Sequence, residues 1–288
     1  MKLDKYTVTS GEKFKLKEHD PGDTGDYRSK AEAVRAMADN IERMKVLQDK
    51  LYAQNEYALL IIIQAMDAAG KDGLIEHVMS GVNPQGCQVV SFKQPTSEDL
   101  DHDYLWRIAK NLPERGRIGI FNRSHYEDVL VVRVHNLIEG SQMPDRLLDP
   151  SIWKQRFRQI RNFETYLFEN GIIPIKLFLN VSKEEQRQRF LARIEDPAKN
   201  WKFSAGDVAE RGHWNDYMDA FEDAIQHTAT KEAPWHVIPA DKKWYARLLA
   251  SEIIVDTLEN LHLEYPRLNE AELASLEECR TMLLNEKS

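Results

Sequence analysis

The sequence predicts an α/β protein built on a parallel, five-stranded sheet flanked by helices, and three observations carry that expectation. Apolar runs rich in β-branched residues alternate along the chain with helical patterns, the signature of a parallel sheet covered by helices. One run, Ala58 to Ile63, passes directly into the tight loop Ala65-x-x-x-x-Gly70-Lys71-Asp72. That spacing is close to G-x-x-x-x-G-K-[S/T], in which backbone N–H groups and one lysine cradle phosphate oxygens at a helix N-terminus. Finally, 288 residues bury the core of one large domain more readily than those of two small ones. The expected organisation is a single P-loop domain over 1–288, with a helical N-terminal extension at about 1–56 and a lid at about 183–214.

The elements follow in order. Residues 28–55 carry Ala33, Met37, Ile41, Met44, Leu47 and Leu51 at spacings of three and four, which predicts one long helix leaning on the sheet or on a partner subunit. Strands are expected at roughly 58–64, 88–93, 117–122, 173–180 and 235–239, with helices in every interval. A long helix near 151–170 ends at Gly171, and Ile172-Ile173-Pro174 leads into the next strand. The segment from Asp196 to Gly212 breaks this regularity with Pro197, Gly206 and Gly212, and reads as a mobile lid rather than packed structure. The acidic stretch from Glu270 to Ser288 reads as a peripheral helix.

Composition narrows the function classes. With 42% hydrophobic and 30% charged residues the chain is of the soluble globular kind. It has no apolar run near the ~18 residues that mark a membrane helix, and no signal pattern, so a cytoplasmic location without membrane partners is expected. Cys87 and Cys279 lie far apart and show no metal-ligand spacing, which predicts free thiols. The net charge of -8 argues against indiscriminate nucleic-acid binding, yet leaves room for a polyanion in a locally positive groove.

Three stretches carry chemistry. In the loop after the first strand, Asp67 would sit among phosphates, where an anion is costly unless a cation lies between, so it reads as a ligand of a metal or of a metal-bound water. The loop departs from the P-loop pattern at Ala65, in place of the first glycine, and at Asp72, in place of the hydroxyl residue. In Arg117 to Asn136, an apolar strand ends in Asn122-Arg123-Ser124, at the sheet edge where ligands of open α/β proteins bind. Asn122 stands where an aspartate would position magnesium, and offers at best an uncharged oxygen. Arg123 can bridge two phosphoryl oxygens with its planar fork; the competing role is a salt bridge to Glu127 or Asp128. In the third stretch, Arg189 and Arg193 share a helix face that Lys199 and Lys202 could continue along a row of phosphates. Residues 183–211 hold seven basic and six acidic side chains, so a solvated, salt-bridged helix competes. Trp201 and Trp214 could stack a base or anchor the lid, anchoring being the preferred reading. His125 and His213 read as satisfied polar residues.

Taken together, the loop Met66-Asp67-Ala68-Ala69-Gly70-Lys71-Asp72-Gly73, the segment Phe121-Asn122-Arg123-Ser124-His125-Tyr126-Glu127-Asp128 and the lid sequence Asn200-Trp201-Lys202-Phe203 resemble the family-2 polyphosphate kinases, in order and spacing, over about residues 30–265. The resemblance implies a P-loop kinase-like, thymidylate-kinase-like fold with a helical lid, polyphosphate as phosphoryl donor to nucleotides, and a need for Mg2+, with Mn2+ as a substitute. It also accounts for the internal aspartate and the missing hydroxyl residue, since the family's loop has both features, whereas Asn122 replaces an aspartate found in many relatives. Members with His-Tyr-Glu-Asp after Arg-Ser phosphorylate both AMP and ADP, while ADP-preferring relatives tend to read Trp-Tyr-Asn, so Glu127 points to the AMP- and ADP-phosphorylating class.

On this reading Asp67, Lys71 and Arg123 are catalytic. Polyphosphate lies on Ala68, Ala69, Gly70, Lys71, Asp72, Gly73, Arg189, Arg193, Lys199 and Lys202. The nucleotide lies against Asn122, Glu127 and Arg133, and metal is held by Asp67, Asn122 and Glu127. For Glu127 a salt bridge to Arg133 or Arg123 competes with the metal role. AMP, ADP and ATP are the expected nucleotides, with guanine nucleotides as further candidates, and a homodimer or homotetramer is the expected assembly. Two alternatives remain at this stage: an ATP-dependent nucleoside or nucleoside-monophosphate kinase, and a nucleotide-responsive binding protein without turnover.

Overall fold

The computed structural model describes residues 1–286. Its first 29 residues are not the expected helical extension. They form 3-10 turns at Leu3–Lys5 and Leu16–Glu18 around a two-residue strand, β1 (Thr7–Val8). Helix begins only at Lys30, because Ser29 is extended and its hydroxyl accepts the Glu32 N–H, which satisfies one of the free donors of the first turn. This helix, α1 (Lys30–Gln54), ends on Asn55 in the left-handed conformation.

The remaining elements, in chain order, are β2 (Ala58–Gln64), α2 (Lys71–Val78), β3 (Cys87–Ser91), the one-turn helices α3 (Ser97–Leu100) and α4 (Trp106–Ala109), and β4 (Ile118–Asn122). There follow α5 (Val131–Val134), α6 (Ile152–Glu169), β5 (Ile172–Asn180), α7 (Lys183–Glu195), α8 (Ala205–Glu210), α9 (Trp214–Thr228), β6 (Trp235–Pro239), α10 (Lys243–Glu259) and α11 (Glu270–Asn285). The sheet has six strands, in the order β1-β6-β5-β2-β4-β3. Five are parallel, as expected; β1 is the addition, paired antiparallel to β6 through Thr7 opposite His236 and Val8 opposite Trp235.

Position in the sheet explains each strand's composition. Every residue of β2 is buried, the continuous apolar pattern of a parallel strand covered on both faces. Each of Leu59, Leu60, Ile61, Ile62 and Ile63 contributes about 1.5–3 kcal/mol by burial. β3, at the edge, is largely exposed. Pro174 lies in β5, beside Leu60 of β2, but β6 joins β5 only from Lys176 onward, so the N–H that proline lacks has no partner to lose.

α1 leans not on the sheet but on α10, which also packs on α2 and β6; α6 packs on β5 and α9. Where α1 meets α10, the buried Asn40 amide donates to Ser251 Oγ at 3.1 Å. These layers fix the strand ends. β2 lies between β5 and β4, so the loops after β2 and β4 open side by side at the carboxyl edge of the sheet, the crevice where open α/β proteins bind ligands.

Candidate active site

Two backbone demands shape the loop from β2 to α2, and a third the turn after β4. Gly70, at the N-cap of α2, has φ +111°, a conformation open to glycine and strained for any other residue, although a Cβ there would have room. Ala68 and Arg123 also take positive φ, 59° and 65°. For residues with a Cβ such backbone is sparsely populated and persists only where the surroundings enforce it.

Those surroundings are visible. The Gln186 side-chain amide donates to the Asp67 carbonyl at 2.9 Å. Arg189 donates to the carbonyls of Ala68 (3.1 Å), Ala69 (2.6 Å), Ala240 (2.5 Å) and Asp241 (3.3 Å), and to Glu185. Buried and fully engaged, Arg189 holds the phosphate loop against the loop after β6. Its expected place in a row of phosphate contacts with Arg193 is therefore revised: its guanidinium is committed to backbone oxygens.

Lys71, the first residue of α2, curls back over the loop and donates to Ala65 O (3.0 Å) and Met66 O (3.3 Å), with Asp67 Oδ1 at 4.0 Å. Burial, with Arg123 nearby, lowers its pKa from 10.5 to about 8 despite Asp67. A phosphate beside it would restore the stability of the charged form. Arg123 bridges two carboxylates, donating through Nη2 to Asp67 (2.5 Å) and through Nη1 to Glu127 (3.1 Å). Burial disfavours its charge, but Glu127 and Asp67 outweigh burial and raise its pKa. The competing salt bridge to Glu127 thus exists, alongside a second one to Asp67 that sequence reasoning did not foresee. Asn122 donates to Asp72 Oδ1 at 2.8 Å, tying the end of β4 to the phosphate loop.

These groups floor a cleft of about 870 Å³ lined by eight basic and four acidic side chains. Asp67 to Gly73, Asn122, Arg123, Arg189, Arg193, Lys199 and Lys202 all line it, so most of the expected site is assembled in one place. Lys243 and Arg247 of α10 join them. Both have lowered pKa values, from burial first and then from neighbouring positive charge, Arg189 in each case. Glu185 and Glu76 offset this only in part, for Lys243 and Arg247 respectively, and cations so placed suit a polyanion. Sequence reasoning missed them because they lie some 170 residues past the loop, on a helix with no motif. Gln64 was missed as well; with its amide oriented to satisfy both ends, it donates to Glu127 Oε1 at 2.9 Å.

Two residues expected at the nucleotide lie outside the main cleft. Glu127 lies behind Arg123, lining with Asp67, Glu210 and Tyr217 a crevice of about 20 Å³, room for a single water. Arg133 lines neither cavity and pairs with Asp223 of α9 at 2.7 Å, so the salt bridge that competes for Glu127 is made by Arg123 and not by Arg133. The two lid tryptophans also part company. Trp214 is buried and anchors α9, whereas Trp201 is 77% exposed on the cleft wall with Lys202 Nζ 4.9 Å from its ring centre. The lid segment itself is partly packed: Arg211 donates to Lys183 O and Gln186 Oε1. His125 is buried with Nε2 3.5 Å from Glu164, beyond good hydrogen-bond length, and neither ring nitrogen finds a partner.

Among the described residues no group of three or more His, Cys, Asp or Glu converges on a point. A sparse oxygen set around Asp67 nevertheless fits magnesium, which takes one or two carboxylates and fills its shell with water and substrate phosphate.

Comparison with known proteins agrees with this geometry. The family model described as polyphosphate kinase 2 matches residues 27–266. A protein of Rhodopseudomonas palustris named ADP-polyphosphate phosphotransferase is 48% identical over 286 residues, 99% of each chain. One of Meiothermus ruber named AMP/ADP-polyphosphate phosphotransferase is 46% identical over 266 residues, 92% of this chain and 96% of that one. The crystal structure of polyphosphate kinase 2 from Arthrobacter aurescens TC1 superposes with a TM-score of 0.85 at 43% identity, over 94% of this chain and 95% of the other. The phosphate loop, the Arg123 turn and the cation-lined cleft are thus carried on a P-loop kinase-like fold, and the chain belongs to the polyphosphate kinase 2 family.

Proposed function

We propose that this enzyme transfers a phosphoryl group from inorganic polyphosphate to AMP and ADP, giving ADP and ATP, by direct in-line displacement. The observation that carries the donor assignment is the cleft: eight basic side chains against four acidic ones, with Lys71 at its floor. ATP needs a short phosphate site; a long polyanion needs a run of cations, which Arg193, Lys199, Lys202, Lys243 and Arg247 supply beyond the loop. Lys71 and the loop N–H groups hold the terminal phosphoryl of the donor. Arg123, released from one carboxylate, neutralises charge that develops on it. The acceptor's own phosphate oxygen is an anionic nucleophile, so catalysis reduces to positioning and charge neutralisation, without a covalent enzyme intermediate. Asp67, with Asn122 and Glu127 nearby, would hold Mg2+ or Mn2+, whose contribution is to offset phosphate charge between donor and acceptor.

Acceptance of AMP as well as ADP rests on Glu127, which the Arg123 bridge holds 3.1 Å from the guanidinium, behind the transfer site. Its crevice is too small for a nucleotide as it stands, so acceptor binding moves Glu210 and Tyr217 away from Arg123. Guanine nucleotides are further acceptors on this reading, the working location is the cytoplasm, and the enzyme associates with itself as a homodimer or homotetramer. Among the described residues no helix is long and apolar enough to cross a membrane.

The test is to separate the nucleotides formed from AMP and Mg2+ with either polyphosphate or ATP as sole donor. ADP followed by ATP from polyphosphate, abolished by a chelator, is the expected outcome. Product from ATP alone would make the chain a nucleoside-monophosphate kinase, and binding without product would remove the enzymatic reading.

A further inference from the structure

α11 is a helix without a body to lie on. Every residue from 264 to 286 is exposed, although the helix is closed at its start by a full capping box between Asn269 and Glu272. At sixteen residues a helix of this kind is marginal in water without packing. Leu273, Leu276, Leu283 and Leu284, 55%, 55%, 66% and 71% exposed, fall within about 100° of the helix circumference at 3.6 residues per turn. Glu270, Glu272 and Glu277 flank that stripe, with Arg280 inside it paired to Glu277.

A second surface is apolar and uncovered in the same way. A groove of about 330 Å³ runs between the first half of α1 and the start of α10, floored by Ala33, Val34, Met37, Ile41 and Trp244. Its rim carries Lys30, His77 and Arg247 against a single carboxylate, Glu76. The helix stripe is acidic at its edges and apolar apart from the Glu277-paired Arg280, and the groove is basic at its rim over an apolar floor, the pattern of a helix laid in a groove.

We infer that α11 of one copy seats in the α1–α10 groove of a second copy. The inference rests on the reading that the chain associates with itself, and names the surface that does so. A two-fold pair covers both faces at once, each helix lying in the other copy's groove in two identical contacts. The chain leaves the body beside the far half of α1, where Tyr265 donates to Asp49 at 2.6 Å, and no residue of α11 lines the groove of its own copy.

Sedimentation velocity or light scattering on the full chain tests it. The wild type is expected at about twice 33.5 kDa, or a higher even multiple. The paired substitution Leu276→Glu with Leu283→Glu, and Val34→Glu on the groove side, should each halve that mass. All three side chains are exposed, so circular dichroism and melting should report an intact fold. A monomeric wild type would overturn the self-association reading and the interface with it. A wild-type oligomer whose mass survives either variant would overturn the interface alone.

Discussion

Two clusters of charge lie on either side of the turn from Arg123 to Tyr126, and they behave oppositely. On the cleft side, Asp67, Arg123 and Glu127 are 32%, 32% and 23% exposed at their side chains, their bonds accessible to an entering anion. On the core side, Glu164 and Lys176 meet at 2.6 Å with 1% and 0% exposure. Tyr126 donates its one proton to Glu164 (2.8 Å), its oxygen lies 2.9 Å from the Thr228 hydroxyl, and Lys176 donates to Thr228 O (2.9 Å). Burial opposes the Glu164 charge, but Lys176 outweighs it and holds the carboxyl below its usual range. The core cluster has nothing to exchange with. It is the fixed base on which the turn rests, and the cleft cluster is the part free to change partners. A polar network of this kind is strong only while complete.

The largest effect should come from breaking the base. Lys176→Met strands a buried carboxylate and should destabilise the fold by about 3–5 kcal/mol in denaturant titration. Adding Glu164→Leu should recover most of it, and a single variant as stable as wild type would refute the comparison. On the open side, Arg123→Ala should lower the transfer rate by roughly 100-fold or more with little change in melting temperature. Equal losses of rate and stability would place both clusters in the core. A gentler probe is pH. The Lys71 pKa is depressed from 10.5 to about 8, so polyphosphate affinity should fall as pH rises through about 8. Because the unfolded chain holds that proton up to about 10.5 while the folded one releases it, stability relative to Lys71→Met should rise between those values. Calorimetry and binding titrations across pH 7–10 should move in opposite directions. The smallest effect belongs to Arg133→Ala, which removes a half-exposed pair with Asp223 and should cost less than about 1 kcal/mol. Turnover should stay within about twofold of wild type; a large loss of acceptor affinity would return Arg133 to the nucleotide site.

Local pattern made the site's framework legible. β2 at Ala58–Gln64 and β6 at Trp235–Pro239 match their expected bounds, and the others shift by one or two residues, because apolar runs and turn residues are local signals. β1 is only Thr7–Val8, too short to show a period. Lys176 was hidden in a strand read as apolar, since burial of a charge depends on Glu164 arriving from another helix. Arg189 was read by charge as a phosphate contact; only tertiary structure assigns its guanidinium to four carbonyls. Lys243 and Arg247 were invisible for the same reason. Residue type announces a cation, but not what it faces.

The most direct test of the account is the initial rate of ADP formation from AMP, polyphosphate and Mg2+ by wild type and Lys71→Ala, with melting curves for both. Product from the wild type, a rate at least about 100-fold lower in the variant and unchanged folding are the predicted result. A Lys71→Ala protein as active as wild type would contradict it.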